Sequence, residues 1–350
     1  MNHPLKVDLD HILNYTEPFW RALDGARLFF TGGTGLFGVW FLESILWAQK
    51  ELDVKFDVTL LSRNSDAFLQ KYPQFQNKMS LRFHRGDITD FTPPAEDFSH
   101  IIHGATTSAL ATFKNEDPLK KFDNVAEGTR RTLEFAAVRK VQHFWFLGSG
   151  SAYGKQPYDM PLMLEEYQGA PDTMETHGAL GQGKRAAEFL CAVYAEKYSM
   201  NVKIARCFSF LGPHLPLDIH YAIGNFIGDG LAGRPILIRG DGTPIRSYLY
   251  MADLVIWLMT IFTNGKSQRI YNVGSEEGLS IVRLAHLVAG CFTPTVKVQL
   301  ATTPTPAPLA AASNLYVPST RRAAFELGLK QLVSTEEGIR RTIQFYKAAK

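Results

Sequence analysis

Charge of one sign is what this 350-residue chain most plainly lacks: 37 Lys and Arg stand against 34 Asp and Glu, leaving a formal +3. Nucleic acids and anionic membranes are gripped by concentrated basic surfaces, so the balance argues against either partner and suits a small-molecule enzyme. Cysteine is scarce as well. Cys191, Cys207 and Cys291 follow neither a metal-ligand spacing nor a disulfide framework, so they read as small buried side chains in a reducing compartment, with no bound metal. Long hydrophobic runs are also missing. Stretches such as Val255 to Phe262 fall short of the roughly 20 apolar residues that cross a bilayer. The opening MNHPLKVDLD has neither the basic nor the apolar block of a secretion signal, and a soluble, cytoplasmic protein is expected.

What is present is an alternating pattern with a hydrophobic content, 45%, ample for a large core. Residues 1–25 read as an N-terminal extension, helical through HILNYTEPFWRAL. From residue 26 the chain runs strand ARLFFTG, helix LFGVWFLESILWAQ, then strands FDVTLLSR, LRFHRGDI and HIIHGA, helix NVAEGTRRTLEFAAVR and strand HFWFLGS. Apolar strands without polar alternation, separated by helices, predict a parallel sheet covered on both faces, a doubly wound α/β fold. This domain is expected to span 26–209, with the chain returning to it near 248–275, while 210–247 and 276–350 form a smaller, interleaved substrate-side region. The loop KQPYDMPLMLEEYQGAPD is long enough to be functional. FTPTVKVQLATTPTPAPLAAAS reads as extended, with a flexible part. Trp20, Trp40, Trp145 and Phe226 read as core, and Glu165 and Glu166 as an exposed acidic loop in preference to an acid/base pair.

Thr31-Gly32-Gly33-Thr34-Gly35-Leu36-Phe37-Gly38 stands directly after the first strand and before a helix. Gly32 permits a tight turn, Gly35 lets a pyrophosphate approach the backbone, and Gly38 lets the helix pack on the sheet, while the amides of the Leu36–Phe37 turn face the negative phosphates. A nicotinamide dinucleotide is the expected cofactor. At the end of the second strand Ser62-Arg63-Asn64 lacks the acidic residue that accepts from a ribose hydroxyl, so Arg63 favours a 2′-phosphate and NADP over NAD. Asp87 and Ile88, after the third strand, and Ala105, after the fourth, are placed at the same crevice; Asp87 fits either an adenine contact or a turn cap.

With TGGTGLFG, GDI, HGA, DNVAEGT, GSGSAYG, GKRAAE, ARCFSFLGP, GDGTPIRSYLYMAD, YNVGSEEGLSI and VPSTRRAAFELG in that order, the chain resembles an extended short-chain dehydrogenase/reductase of the NAD-dependent epimerase/dehydratase group. The resemblance covers nearly the whole length. It implies a Rossmann domain holding NAD or NADP, a C-terminal region for a nucleotide-linked sugar, transient oxidation at a sugar carbon, and a homodimer. By the same resemblance Ser149 polarises the substrate oxygen and Lys184 orients the nicotinamide ribose. Leu180 stands where the group places its proton-exchanging Tyr, and leucine cannot exchange a proton. Three explanations stay open: another group substitutes, the protein binds without turnover, or a substitution was made to trap a complex. His177, Tyr153 and Tyr158 are the nearby titratable side chains. Tyr153 matches a tyrosine that packs near the cofactor in such proteins, and His177 has an ordinary exposed-loop reading beside its candidate one.

Gly150 and Ser151 replace the carboxylates that follow Ser149 in sugar 4,6-dehydratases, and Ser151 stands where decarboxylating relatives carry Glu, so both activities are disfavoured. On the substrate side the resemblance assigns Ser209, in place of an Asn, Asn225 and the diphosphate-gripping Arg246. A further phosphate-binding Arg is missing from PAPLAAASN. A nucleotide-sugar epimerase or ketoreductase-like protein of sugar or polysaccharide biosynthesis is therefore expected, with a non-catalytic binding homologue as the alternative.

Overall fold

The computed structural model of the protein describes residues 3–107, 110–111, 114–219, 221–301 and 314–348. In chain order the first half comprises α1 (Lys6–Ala22), β1 (Arg27–Thr31), α2 (Leu36–Leu52), β2 (Asp57–Ser62), α3 (Ser65–Lys71), β3 (Leu81–Arg85) and β4 (His100–His103). There follow α4 (Pro118–Val138), β5 (His143–Ser149), α5 (Ala179–Tyr198) and β6 (Asn201–Cys207). The second half is built of shorter pieces: β7 (Phe210–Leu211), α6 (Ala222–Leu231), β8 (Ile236–Ile238), β9 (Ile245–Arg246), β10 (Leu249–Tyr250) and α7 (Met251–Asn264). The chain ends with β11 (Ile270–Val273), β12 (Leu279–Ser280), α8 (Ile281–Gly290), β13 (Val298–Leu300), β14 (Leu315–Tyr316), α9 (Arg321–Leu327) and α10 (Thr335–Ala348).

Seven strands form one sheet in the order β11-β6-β5-β4-β1-β2-β3, every neighbouring pair parallel. This is the expected doubly wound Rossmann-type architecture, and the order reverses between β1 and β4. Successive side chains of a strand point to opposite faces, so Phe29, Phe144 and Phe146 enter the core under α4 and α5, while Phe30, Trp145 and Leu147 enter the core under α1, α2 and α7. The apolar run in MADLVIWLMTIFTN is explained by burial on all sides: every residue of α7 from Met251 to Phe262 is buried. Trp20, Trp40, Trp145 and Phe226 are core residues, as expected.

Three local expectations shift. The strand read as LRFHRGDI stops at Arg85, because Asp87 turns the chain by accepting from Thr89 N and Oγ1. The helix read from Asn124 begins two turns earlier: Asp117 caps it by accepting from Leu119 N at 3.1 Å, and Pro118 takes the first helical position, where no amide is needed. Cys191 and Cys207 are buried free thiols, but Cys291 is only half-buried. The N-terminal helix is no loose extension. Its Leu9, Ile12 and Trp20 are buried, and Asp8 accepts from Tyr250 Oη at 2.7 Å and from Arg341 Nη1 at 2.8 Å, tying the first helix to the last. Among the described residues no helix is long and apolar enough to cross a membrane, and no cluster of three metal-ligating side chains occurs.

Candidate active site

The crevice opens where β1 and β4 part at the reversal of strand order. Gly32 has φ +78°, and a Cβ there would lie 2.5 Å from the Gly104 carbonyl, so only glycine lets the two loops close on one another. At Gly38 a Cβ would meet the Gly33 carbonyl oxygen at 2.0 Å. Gly35 caps α2, and the amides of Leu36, Phe37 and Gly38 in the first turn lack intrahelical acceptors by helix geometry, leaving a partly positive end toward the crevice. The Phe37 ring itself turns inward, edge-on to Phe210 at 5.0 Å. Beneath, His103 bridges Thr31 Oγ1 (2.7 Å) and Thr129 Oγ1 (2.9 Å); burial, with the Lys184 charge adding to it, pushes the imidazole down to about 3, so it is neutral. Ala105 is buried, its amide 3.4 Å from Thr31 Oγ1. Bare backbone, a helix N-terminus and an uncharged floor fit a dinucleotide pyrophosphate.

Arg63 and Asp87 meet at the far end of the crevice, Nη1 to Oδ2 at 3.5 Å. Arg63 is exposed, whereas Asp87 and Ile88 are half-buried. Burial alone would raise the Asp87 carboxyl, but the two Thr89 hydrogen bonds and the charges of Arg63 and Lys120 outweigh it and hold the group below its usual value. Asp87 thus caps its own turn through Thr89, with its other oxygen toward Arg63. Ile88 packs against Gly128 of α4.

At the C-terminal end of β5, Ser149 and Lys184 come to the same strand. Ser149 Oγ accepts from Ser151 N at 3.2 Å and Ser151 Oγ at 2.9 Å, and the half-buried residue is positioned by extended backbone. Lys184, 4% exposed, donates to Leu147 O at 2.7 Å and lies 4.8 Å from the Phe146 ring centre. Burial brings its ammonium down to about 8. Leu180, one helical turn before it, packs against the core under α4 and α5.

The candidate bases near Leu180 fare differently. Tyr153 is fully buried: its hydroxyl donates to Asn272 Oδ1 at 2.8 Å, and the Arg206 guanidinium, held by Glu188, lies 4.1 Å from its ring centre. With no exposed surface and its hydroxyl committed to Asn272, Tyr153 is a structural group; burial also raises it to about 12. His177 and Tyr158 are exposed, and no hydrogen bond among the described residues joins them to Ser149 or Lys184. The acidic loop also departs from expectation. Glu165 is half-buried and accepts from Asn272 N at 3.0 Å, and Glu166 pairs with Arg322 at 2.5 Å.

On the substrate side Arg246 is half-buried in β9, its guanidinium donating to Asn314 O at 2.6 Å, Asn314 Oδ1 at 2.9 Å and Ile245 O at 2.9 Å. Ser209 lies half-buried between β6 and β7, its carbonyl taken by Leu249 N, and Asn225 sits half-buried in α6. Most of PAPLAAASN lies outside the described residues. One residue that sequence reasoning passed over is Tyr316 of β14. It pairs with Arg246 across the ladder, and its hydroxyl lies against Gly150, between Ser149 and Ser151 in the chain, 2.7 Å from where a Cβ at position 150 would stand. No local pattern marks it, because Ser149 lies 167 positions earlier in the chain (316 less 149).

Comparison with known proteins agrees with this fold. The NAD dependent epimerase/dehydratase family matches residues 28–274. Among curated relatives, UDP-glucuronic acid decarboxylase 1 of Xenopus tropicalis is 25% identical over 94% of this chain and 74% of its own. UDP-glucuronic acid decarboxylase 6 of Arabidopsis thaliana is 26% identical over 78% of this chain and 76% of its own. Among solved structures, UDP-glucuronic acid 4-epimerase from Bacillus cereus, in complex with UDP-glucuronic acid and NAD, has a TM-score of 0.76 at 19% identity, covering 93% of this chain and 100% of that one. A dTDP-glucose 4,6-dehydratase from Bacillus anthracis, in complex with NAD, has a TM-score of 0.74 at 17% identity, covering 92% and 97%. Decarboxylases and dehydratases, the activities disfavoured by Gly150 and Ser151, thus stand among the relatives and structural neighbours.

Proposed function

Because the chain belongs to the NAD dependent epimerase/dehydratase family, we propose that it acts on a nucleotide-linked sugar, by epimerisation or ketone reduction at one sugar carbon. The observation that carries this reading is the convergence of Ser149 and Lys184 on the end of β5. In this reading Gly32, Gly35 and Gly38 admit the pyrophosphate of NAD or NADP, with Arg63 available to a 2′-phosphate. The dinucleotide supplies or accepts hydride when bound. Ser149 Oγ donates to the substrate oxygen, Lys184 holds the nicotinamide ribose, and Arg246, already oriented by Asn314, takes the sugar-nucleotide diphosphate as a planar fork. Ser209 and Asn225 offer further hydrogen bonds to the same ligand. Gly150 and Ser151 carry no carboxylate for elimination or decarboxylation. The reading includes a homodimer, supported by the apolar side chains that α4 and α5 leave exposed, Val138, Phe189 and Val193 among them.

Leu180 favours a second reading, a homologue that binds both ligands without turnover. One experiment separates them: mass spectrometry of whatever dinucleotide the purified protein releases or takes up, then assay with UDP-glucose, UDP-glucuronic acid and dTDP-glucose. Epimer formation or ketone reduction by the unaltered chain supports the first reading. Release of carbon dioxide or loss of water would overturn the exclusion of decarboxylation and dehydration. An inert chain that gains about 10²- to 10⁴-fold in Leu180→Tyr identifies the second, and failure to bind any dinucleotide overturns both.

A further inference from the structure

A site that moves hydride at a carbinol carbon must also move a proton at its oxygen, and Leu180 cannot do so. The reading that follows rests on the proposed function. Tyr316 enters the site from the C-terminal part of the chain and is fixed from both sides. Its strand pairs with β9, where Arg246 is its direct partner. On the other side Met163 N donates to Val317 O at 2.8 Å, Ser319 N donates to Met163 O at 2.8 Å, and Val317 N donates to Gln156 Oε1 at 2.9 Å. Its ring packs on Phe208 with centres 4.7 Å apart. The hydroxyl so placed stands against Gly150, the residue that follows Ser149.

Gly150 is what permits this approach. A Cβ at position 150 would stand 2.7 Å from Tyr316 Oη and 2.7 Å from Phe208 Cζ, so any larger residue displaces the phenol. The same glycine that removes a carboxylate from the site therefore makes room for a phenol. We propose that Tyr316 is the proton-transfer group of this site, acting through or beside Ser149 in the role that Leu180 leaves unfilled. Burial raises the phenol to about 12 against the opposing effect of Ser149, with Cys207 and Arg246 also facing it, so it is protonated at neutral pH and begins as a donor.

In the reductive direction a hydride from the reduced nicotinamide dinucleotide adds to the ketone carbon. The carbonyl π pair moves to oxygen, and the new O–H bond forms as the Tyr316 O–H bond breaks. The ketone is reduced, the dinucleotide is oxidised, and a phenolate is left. Oxidation of a carbinol is the reverse: the phenolate takes the hydroxyl proton as the hydride departs. An epimerase opens with the oxidation, for which the phenol must first give its proton to solvent, and its closing reduction returns Tyr316 to the phenolate; a ketoreductase starts from the phenol and regains the proton from solvent after each turnover.

The test uses the full chain and two readouts. With whichever of UDP-glucose, UDP-glucuronic acid or dTDP-glucose the unaltered protein turns over, Tyr316→Phe is expected to lower kcat about 10²- to 10⁴-fold, with KM and dinucleotide affinity within a few-fold. Unchanged kcat overturns the proposal. If the unaltered protein turns over none of them, the proposed function fails, and the second readout still decides the role of Tyr316. A 3-fluorotyrosine placed at position 316 reports its own ionisation through its fluorine resonance, without substrate. Ser149→Ala is expected to move that ionisation to higher pH, because the lost donor stabilised the phenolate. An ionisation indifferent to Ser149→Ala shows that the two hydroxyls are not one unit and overturns the proposal.

Discussion

The dinucleotide crevice and the substrate side are built on opposite principles. The crevice centres on one contiguous stretch, 31–38, and is shaped by backbone: two loops touch because Gly32 has no side chain, and the first amides of α2 face the crevice. The proposed substrate side is assembled from positions 149, 246 and 316, and would work through side chains. Their alignment depends on polar lacing between distant segments, above all on Asn272. This fully buried side chain accepts from Tyr153 Oη and donates to Met163 O at 2.8 Å and Ser319 O at 3.1 Å. A backbone site is rigid and demands glycine, while a side-chain site can change its chemistry one residue at a time.

The difference can be broken at either end. The largest effect is expected for Asn272→Ala, which deprives the buried Tyr153 phenol and the Ser319 carbonyl of the partner it supplies, while Met163 O keeps Ser319 N. At about 1–3 kcal/mol for each unsatisfied group, a loss of roughly 3 kcal/mol should appear in urea denaturation, with sugar-nucleotide affinity falling more than dinucleotide affinity. Equal loss of both would erase the distinction. On the other side Gly32→Ala forces a methyl into the Gly104 carbonyl, an overpacking worth about 1–3 kcal/mol. Calorimetric titration should find dinucleotide binding abolished; binding at the unaltered strength would show that the loops can part at no cost.

A pH-dependent effect sharpens the junction between the two regions, where Lys184 sits. Burial lowers its folded value to about 8 from an ordinary 10.5, so between those limits the unfolded chain holds a proton that the folded chain has released. Stability should therefore rise with pH across that window, by no more than about 1.4 kcal/mol per pH unit, and the rise should be absent in Lys184→Met. Parallel pH profiles for the two proteins would mean that the ammonium is solvated after all.

Much of this was legible in the chain. Phe29 and Phe30 announce a strand buried on both faces, and the glycines of 31–38 announce a turn between strand and helix, because each signal is local and repeats with the geometry of its element. The start of α4 was legible too, in Asp117 and Pro118, but was passed over in favour of the later apolar periodicity. Tyr153 was legible as a packing residue only through the resemblance, since its burial is a property of the packed chain. Glu165 looked like a solvated loop charge for the same reason.

The sequence by itself determined the doubly wound sheet, the glycine crevice and the absence of a proton carrier at position 180, because each follows from residues within a few positions of one another. Only the tertiary structure decided that Asp87 caps its own turn, that α1 is bound to α10 through Asp8, and that the phenol of Tyr316 stands against Gly150, next to Ser149 in the chain. Those contacts join residues whose separation along the chain carries no pattern, and they exist only where folding makes the distance between them a few ångströms.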